Sequence, residues 1–425
     1  MRQGQNNPIA SWQIILILIL AGEIIFGLPF HTLRFFRASF LETFALNNTQ
    51  LGDTFAVYGI MAMLAYFPGG ALADRVSPRK LMSLSLFATA VGGIYYASIP
   101  SYLGIQLLFG YWGITTILLF WAAMIKATRE WGGEDNQGRA FGILDGGRGL
   151  VAAITSSIAV IIFSFSLPEN SADITEAERQ AGVQSVIYFY TGITFAISIM
   201  AWYFIPATDE KQLTSSNQTF EGIVSVVKQK TTWCQAFIII CAYCGYKGID
   251  NYSLYAVTVM KMSELDASQM TSLSAYIRPI AAVSAGFLAD RFITSRTIVT
   301  AFIITLICYG LMFIVDPTNV FGSTSVGYII IFVNLIVSMF AVFAIRGVYF
   351  SLIAESKTSN KFTGTAVGVI SVLGFTPDIF FASISGRILD ANVGLIGFQN
   401  YFLFLSVFSI VGILTTSLFV KFQKV

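Results

Sequence analysis

Ionisable side chains set inside long apolar runs are the residues with chemistry to perform in this sequence. Glu23, His31, Arg34 and Arg37 share one apolar stretch, Asp145 and Arg148 lie three apart in a second, and Lys247 and Asp250 three apart in a third. Arg278, Arg346 and Asp378 stand in three more. A charge in hydrocarbon costs about 2.5–3.5 kcal/mol on insertion scales, so such groups mark ligand pathways, proton sites or internal ion pairs. The deep cations Arg34, Arg148, Lys247, Arg278 and Arg346 outnumber Asp145, Asp250 and Asp378. Surplus buried cations are best neutralised by an anionic ligand, and the guanidinium fork suits carboxylate or phosphate. Tyr246, Tyr252 and Tyr276 each neighbour a deep charge and join an apolar body to a hydroxyl, as a wet cavity wall requires. Glu23, His31, Asp145, Asp250 and Asp378 are the groups able to titrate in a proton-coupled cycle. For each residue taken singly the competing reading is a structural ion pair between helices.

The elements that must hold these residues follow from composition. Of 425 residues 55% are hydrophobic and 11% charged, whereas a soluble domain carries about 25% charged residues to face water. The outer surface must therefore face lipid. With that hydrophobicity, a single His and Lys+Arg 25 against Asp+Glu 23, a net of +2, a secreted disulfide scaffold, a nucleic-acid binder, a disordered chain and a multi-metal enzyme are not expected. Cys234, Cys241, Cys244 and Cys308 all lie in apolar runs and read as small buried hydrophobes. The sequence has no P-loop, zinc pattern or nucleophile elbow. ATP-driven transport, hydrolysis, a metal and a cofactor are not expected.

Hydropathy and punctuation predict an all-α membrane protein of twelve spans, near 12–42, 51–73, 79–98, 102–130, 138–166, 184–206, 232–260, 267–289, 295–315, 326–354, 362–390 and 397–420. Arg148 is ten residues past Gly138, about 15 Å into a hydrocarbon core of about 30 Å. Lys and Arg gather in the loops on one side, including Arg75, Arg79, Lys80, Lys211, Lys228, Arg291, Arg296 and Lys357. Both termini are then cytoplasmic. The polar connection 207–231 separates an N-terminal six-helix bundle, 1–206, from a C-terminal one, 232–425.

Two internal repeats support that division. Gly70-Ala-Leu-Ala-Asp-Arg75 matches Gly286-Phe-Leu-Ala-Asp-Arg291, and Gly138-Arg-Ala-Phe-Gly-Ile-Leu144 matches Gly364-Thr-Ala-Val-Gly-Val-Ile370. Both pairs hold corresponding places in the two halves, as in a parallel repeat about the membrane normal. The first pair is offset by 216 residues, and 216 subtracted from Lys247 and Asp250 gives His31 and Arg34.

The stretch Gly70-Ala-Leu-Ala-Asp-Arg-Val-Ser-Pro-Arg-Lys80 resembles the signature loop between helices two and three of the major facilitator superfamily, with Ser77 in place of its second glycine. The resemblance implies two pseudo-symmetric six-helix bundles, alternating access around a central site, and a gating role for Asp74, Arg75, Arg79, Asp290 and Arg291. Arg34-Phe-Phe-Arg-Ala-Ser-Phe40 and Gly245-Tyr-Lys-Gly-Ile-Asp-Asn-Tyr252 are similar to the first and seventh helices of the organophosphate:phosphate antiporters, and other blocks to a bacterial branch near them. The expected protein is a monomeric carrier of the bacterial inner membrane. It moves a small organic anion, a carboxylate or phosphate ester, by proton coupling or anion exchange. The alternatives are a proton-driven exporter of a zwitterionic or amphipathic metabolite and a non-transporting ligand sensor. The fifth span, Gly149-Leu-Val-Ala-Ala-Ile-Thr-Ser-Ser157, lacks the Gly-Pro motif of the drug:proton antiporters.

Overall fold

A backbone surrounded by hydrocarbon must pair its own N–H and C=O groups, and a helix does so within a single segment. The computed structural model describes residues 8–133, 137–167, 174–207, 226–317, 323–356 and 363–423, and these form helices with no extended strand. Most of the expected connection 207–231 lies outside the described residues. Nine helical stretches among the described residues are long and apolar enough to cross a membrane. The other three expected spans, 51–73, 79–98 and 232–260, are also helical. Their apolar runs are diluted by groups such as Asp53, Arg79, Ser83, Ser85, Lys247 and Asp250.

The chain divides into two compact units. Unit 1 holds Met1–Ala45 and Val57–Leu213; unit 2 holds Leu46–Ala56 and Thr214–Val425. Unit 1 comprises α1 (Pro8–Ile24), α2 (Thr32–Phe35), α3 (Arg37–Thr43), the greater part of α4 (Asn48–Arg75), α5 (Pro78–Ala97), α6 (Tyr102–Thr116), α7 (Ala122–Gly132), α8 (Gln137–Ser164) and α9 (Glu176–Phe204). Within it α1 packs on α8 and α9, and α5 on α9. Ile15, Leu18, Met82, Phe120 and Met124 fill the interior.

Unit 2 comprises the start of α4, then α10 (Lys230–Gly248), α11 (Tyr252–Thr258), α12 (Glu264–Phe292), α13 (Thr294–Ile314) and α14 (Thr324–Val348). It continues with α15 (Leu352–Glu355), α16 (Thr363–Gly374), α17 (Pro377–Ala391) and α18 (Leu395–Gln423). Its core is separate from that of unit 1 and includes Ile238, Tyr255, Tyr309, Phe402 and Leu405.

Several spans are interrupted, and the interruptions fall beside the ionisable residues. A π turn, Gly27–His31, follows α1, and the chain breaks again at Phe36. Pro29 has no amide hydrogen to give back along the helix, and the Thr32 hydroxyl donates to the Leu28 carbonyl at 2.7 Å. A π turn also spans Ile117–Trp121. Turns of 3-10 helix separate α10 from α11 at Ile249–Asn251 and α14 from α15 at Tyr349–Ser351. The eleventh span breaks between Gly374 and Pro377. Subtracting 216 from 249–251 gives 33–35, in the short helix α2 between the π turn and the break at Phe36.

The segment Leu46–Ala56 is tied to α17 inside unit 2. Asp390 accepts from the backbone N–H groups of Asn48 and Thr49 at 3.2 and 2.7 Å and from the Asn48 amide at 3.0 Å. It thereby caps the N-terminus of α4, where unpaired donors and the helix dipole favour a carboxylate. Asp53 pairs with Arg387 at 2.7 Å and accepts from the Ser383 hydroxyl. Asp390→Ala should lower stability by about 0.5–2 kcal/mol through loss of a cap. Arg387→Gln, at a half-exposed pair, should cost about 0–1 kcal/mol. Thermal unfolding of the two variants in detergent checks the order, and an equal or larger loss in Arg387→Gln contradicts the capping account.

Candidate functional site

Each unit buries one charge centre. In unit 1, Glu23 sits just before the end of α1 and His31 ends the following π turn. Eight residues of unbroken α-helix would rise about 12 Å. The interrupted backbone instead brings His31 Nε2 to 3.3 Å from Glu23 Oε1. The second carboxylate oxygen accepts from Arg148 Nε at 3.1 Å. Arg148 reaches it from α8 by crossing Gly22, where a Cβ would lie 3.2 Å from Arg148 Cδ and 2.8 Å from Met124 Sδ. Glu23, His31 and Arg148 side chains are 4%, 5% and 11% exposed, whereas Asp145, 3.8 Å from Arg148, is 61% exposed. Phe26 and Trp121 face the guanidinium at 5.9 and 6.0 Å. Tyr190 stands edge-on to the imidazole at 5.8 Å. Gly27 makes room for that ring, since a Cβ there would lie 2.6 Å from Tyr190 Cδ1. Arg34 and Arg37 are buried further along the same run.

In unit 2, Lys247 is 3% exposed and lies 3.0 Å from Asp378 Oδ1 and 3.9 Å from Asp250 Oδ2. The Tyr243 hydroxyl donates to Asp378, 3.1 Å from both oxygens. Phe55 lies under the ammonium at 5.1 Å. Arg346 stacks on Tyr246 at 3.7 Å and approaches Tyr243 at 5.9 Å, so cation–π attraction adds to the ion pair. The break after Lys247 is paired from within the unit. Tyr401 donates to the Gly248 carbonyl at 2.8 Å and accepts from the Asn251 amide at 3.0 Å.

Arg278 is buried one residue before Pro279 in α12. Pro279 cannot donate to the Ala275 carbonyl, so a polar group is freed in that span.

The other expected residues fall in different settings. Tyr246 joins the unit 2 centre, but Tyr252 is fully buried with its hydroxyl on Ser338 at 2.8 Å, and Tyr276 is exposed. Among the gating residues, Arg79 stacks on Trp202 at 4.7 Å, while Arg75 and Arg291 are exposed. The side chains of Asp74 and Asp290 lie outside those described. Lys126 donates to the Ala73 carbonyl at 2.8 Å, capping the end of α4. Sequence reasoning did not single out Tyr243 as a carboxylate partner, nor Phe55, Asp53, Arg387 and Asp390. The signal for the last three was a charge close to a span end. The four cysteines are free and buried. No group of three His, Cys, Asp or Glu among the described residues is placed to hold a metal.

Buried, internally paired charges on interrupted membrane helices define a membrane transport fold rather than a catalytic centre. The chain belongs to the Major Facilitator Superfamily, whose family model matches residues 14–382. It is a multi-pass membrane transporter and not an enzyme. It is 26% identical over 424 residues to the inner membrane protein YihN of Escherichia coli (strain K12), covering 97% of this chain and 96% of that one. It is also 26% identical over 436 residues to the inner membrane protein YqcE of the same organism, covering 99% and 97%. Among solved structures, it is similar in fold to a bacterial homolog of the human lysosomal transporter Spinster. The TM-score is 0.74 at 15% identity, with 98% of this chain and 99% of that chain covered.

The Lys247–Asp378 pair has a measurable consequence. Lys247→Met leaves a buried carboxylate without its ammonium and should cost about 3–5 kcal/mol, whereas removing both charges costs much less. Unfolding of Lys247→Met, Asp378→Asn and the double variant should therefore give a coupling of at least about 3 kcal/mol, because the double variant recovers most of either single loss. Additive losses would show that the pair does not interact.

Proposed function

We propose that the protein is a secondary active transporter that moves a small organic anion, a carboxylate or phosphate ester, across the bacterial inner membrane by alternating access. The observation that carries this reading is a surplus of buried positive side chains. Among the described residues, Arg34, Arg37, Lys247 and Arg278 are buried, against the carboxylates Glu23 and Asp250. Arg148 and Arg346 are partly buried, as is the carboxylate Asp378 that pairs with Lys247. An interior with more cations than carboxylates is favoured further by an anionic substrate. Arg34, Arg148, Lys247, Arg278 and Arg346 are the proposed ligands, with Tyr246 beside Arg346. The inner membrane placement follows the names of YihN and YqcE. Placing both termini in the cytoplasm follows the distribution of Lys and Arg.

A second reading has one specific support. Asp378 lies within the same aromatic surround as Lys247 and Arg346, and a zwitterionic or amphipathic metabolite would use both signs of charge.

A thermal-shift screen of the purified protein against carboxylates, phosphate esters and amino acids separates the two, because a ligand that binds the native state stabilises it by mass action. The expected result is stabilisation by carboxylates or phosphate esters. Uptake of the best stabiliser into proteoliposomes should vanish in Lys247→Ala and Arg278→Ala. Stabilisation confined to amino acids favours the second reading. Wild-type uptake in both variants rejects these residues as ligands.

A further inference from the structure

Behind the helix that carries Lys247, unit 2 encloses a small cavity. It lies where α10, α13, α14 and α18 meet, and its wall includes Cys241 and Gly245, Thr305 and Tyr309, Val342 and Ser409. Each of the first two pairs is spaced four residues apart and so shares one helix face. The residues of this wall are buried. The cavity volume is about 10 Å³, and a single water needs about 10–15 Å³ of space open to its centre.

The polar groups of the wall are complementary in kind. A hydroxyl has one proton and two lone pairs. Thr305 of α13 and Ser409 of α18 lie 3.0 Å apart, and the Phe302 and Leu405 carbonyls accept from them at 2.9 and 3.4 Å. Their protons have acceptors at hand, and their oxygens keep the capacity to accept. Tyr309, one turn along α13 from Thr305, is 1% exposed, and its hydroxyl has no hydrogen-bond partner among the described residues. The neighbouring Tyr252 hydroxyl is taken up by Ser338 at 2.8 Å. A buried phenol calls for an acceptor. The wall has no Asp, Glu, Lys, Arg or His among the described residues, so it suits a neutral guest.

We propose that this cavity binds one water molecule, which accepts from the Tyr309 hydroxyl and donates to Thr305 or Ser409. A cation would lack a counter-charge there, and an apolar guest would leave the phenol unpaired. Water has the size, the neutrality, and both a donor and an acceptor. Gly245 makes the room, since a Cβ there would lie 3.5 Å from Tyr309 Oη and 3.3 Å from Val342 Cγ2. Gly245 precedes Lys247 by two residues, about 200° around α10. The water therefore supports α10 on the side away from the ammonium.

Two variants at one position separate this site from ordinary packing. Gly245→Ala and Gly245→Ser add the same Cβ, but only Ser brings an oxygen that can replace the water beside Tyr309. Intrinsic helix preference ranks Ala above Ser, whereas the water site ranks Ser above Ala. Thermal unfolding of the full-length protein in detergent should show Gly245→Ser the more stable, by about 2–4 °C in Tm. In a Tyr309→Phe background the order should reverse, because no phenol is left to satisfy. Ala equal to or above Ser with Tyr309 in place, or Ser above Ala in both backgrounds, overturns the proposal. The wild-type chain gives a second measurement that does not depend on any variant folding. A crystallographic map should show one solvent peak within hydrogen-bond distance of Tyr309 Oη and of the Thr305 or Ser409 hydroxyl. A cavity without density, or a Tyr309 hydroxyl bonded to Tyr252 in its place, overturns the water site.

Discussion

A charged or unpaired polar group inside a membrane protein must be satisfied by the protein itself, because lipid offers neither hydrogen bonds nor ions. The interrupted helices and buried charges of this chain are one consequence of that constraint. Each break frees backbone groups, and the breaks here are closed by side chains: Thr32 on the Leu28 carbonyl, Tyr401 on the Gly248 carbonyl, and Thr376 on the Leu373 carbonyl. Two of the buried charges likewise draw a partner from another helix, Glu23 from α8 and Lys247 from α17. Breaks and charges coincide because a turn that departs from α-helical geometry can aim two side chains that a straight helix would hold about 12 Å apart.

The two units solve the problem with equivalent helices and opposite signs. In unit 1 the first span contributes the carboxylate Glu23 and the fifth contributes the base Arg148. In unit 2 the seventh span contributes the base Lys247 and the eleventh contributes the carboxylate Asp378. Aromatic rings stand beside the cation in both, Phe26 and Trp121 in one, Phe55 and Tyr243 in the other. A repeated scaffold thus preserves which helices meet while leaving free which partner carries which charge. Polarity is a matter of side-chain identity, and no backbone rearrangement is needed to reverse it.

The helical segments were legible because burial of apolar length and the punctuation by Gly and Pro are local properties of sequence. The offset of 216 residues carried the 3-10 turn of the seventh span onto the short helix α2, between the two interruptions of the first. Pairings were less legible. Asp145 and Arg148 lie three apart and read as partners, yet Arg148 makes its closer contact, at 3.1 Å, with Glu23, 125 residues away. The Glu23–His31 contact was not legible because the helix spacing that normally locates neighbours fails across the π turn between them. Tyr252 read as a cavity contact because it neighbours Asp250, but the 3-10 turn Ile249–Asn251 rotates it into the core against Ser338. The tie between Leu46–Ala56 and α17 depends on tertiary packing, since Gly386 admits the backbone at Asn48 only where two helices cross closely.

Location on an interrupted helix also bears on which groups can change partner. His31, Lys247 and Asp378 flank breaks where the backbone is already paired by side chains rather than by the regular helical ladder. A small rotation at such a place exchanges one local hydrogen bond for another, whereas the same rotation within a continuous helix must break the ladder itself. Arg148, by contrast, is fixed on the continuous α8, its stem passing over Gly22. In unit 1 the imidazole of His31 is therefore carried by the interrupted element and the guanidinium of Arg148 by the continuous one, and Glu23, at the end of α1, joins the two.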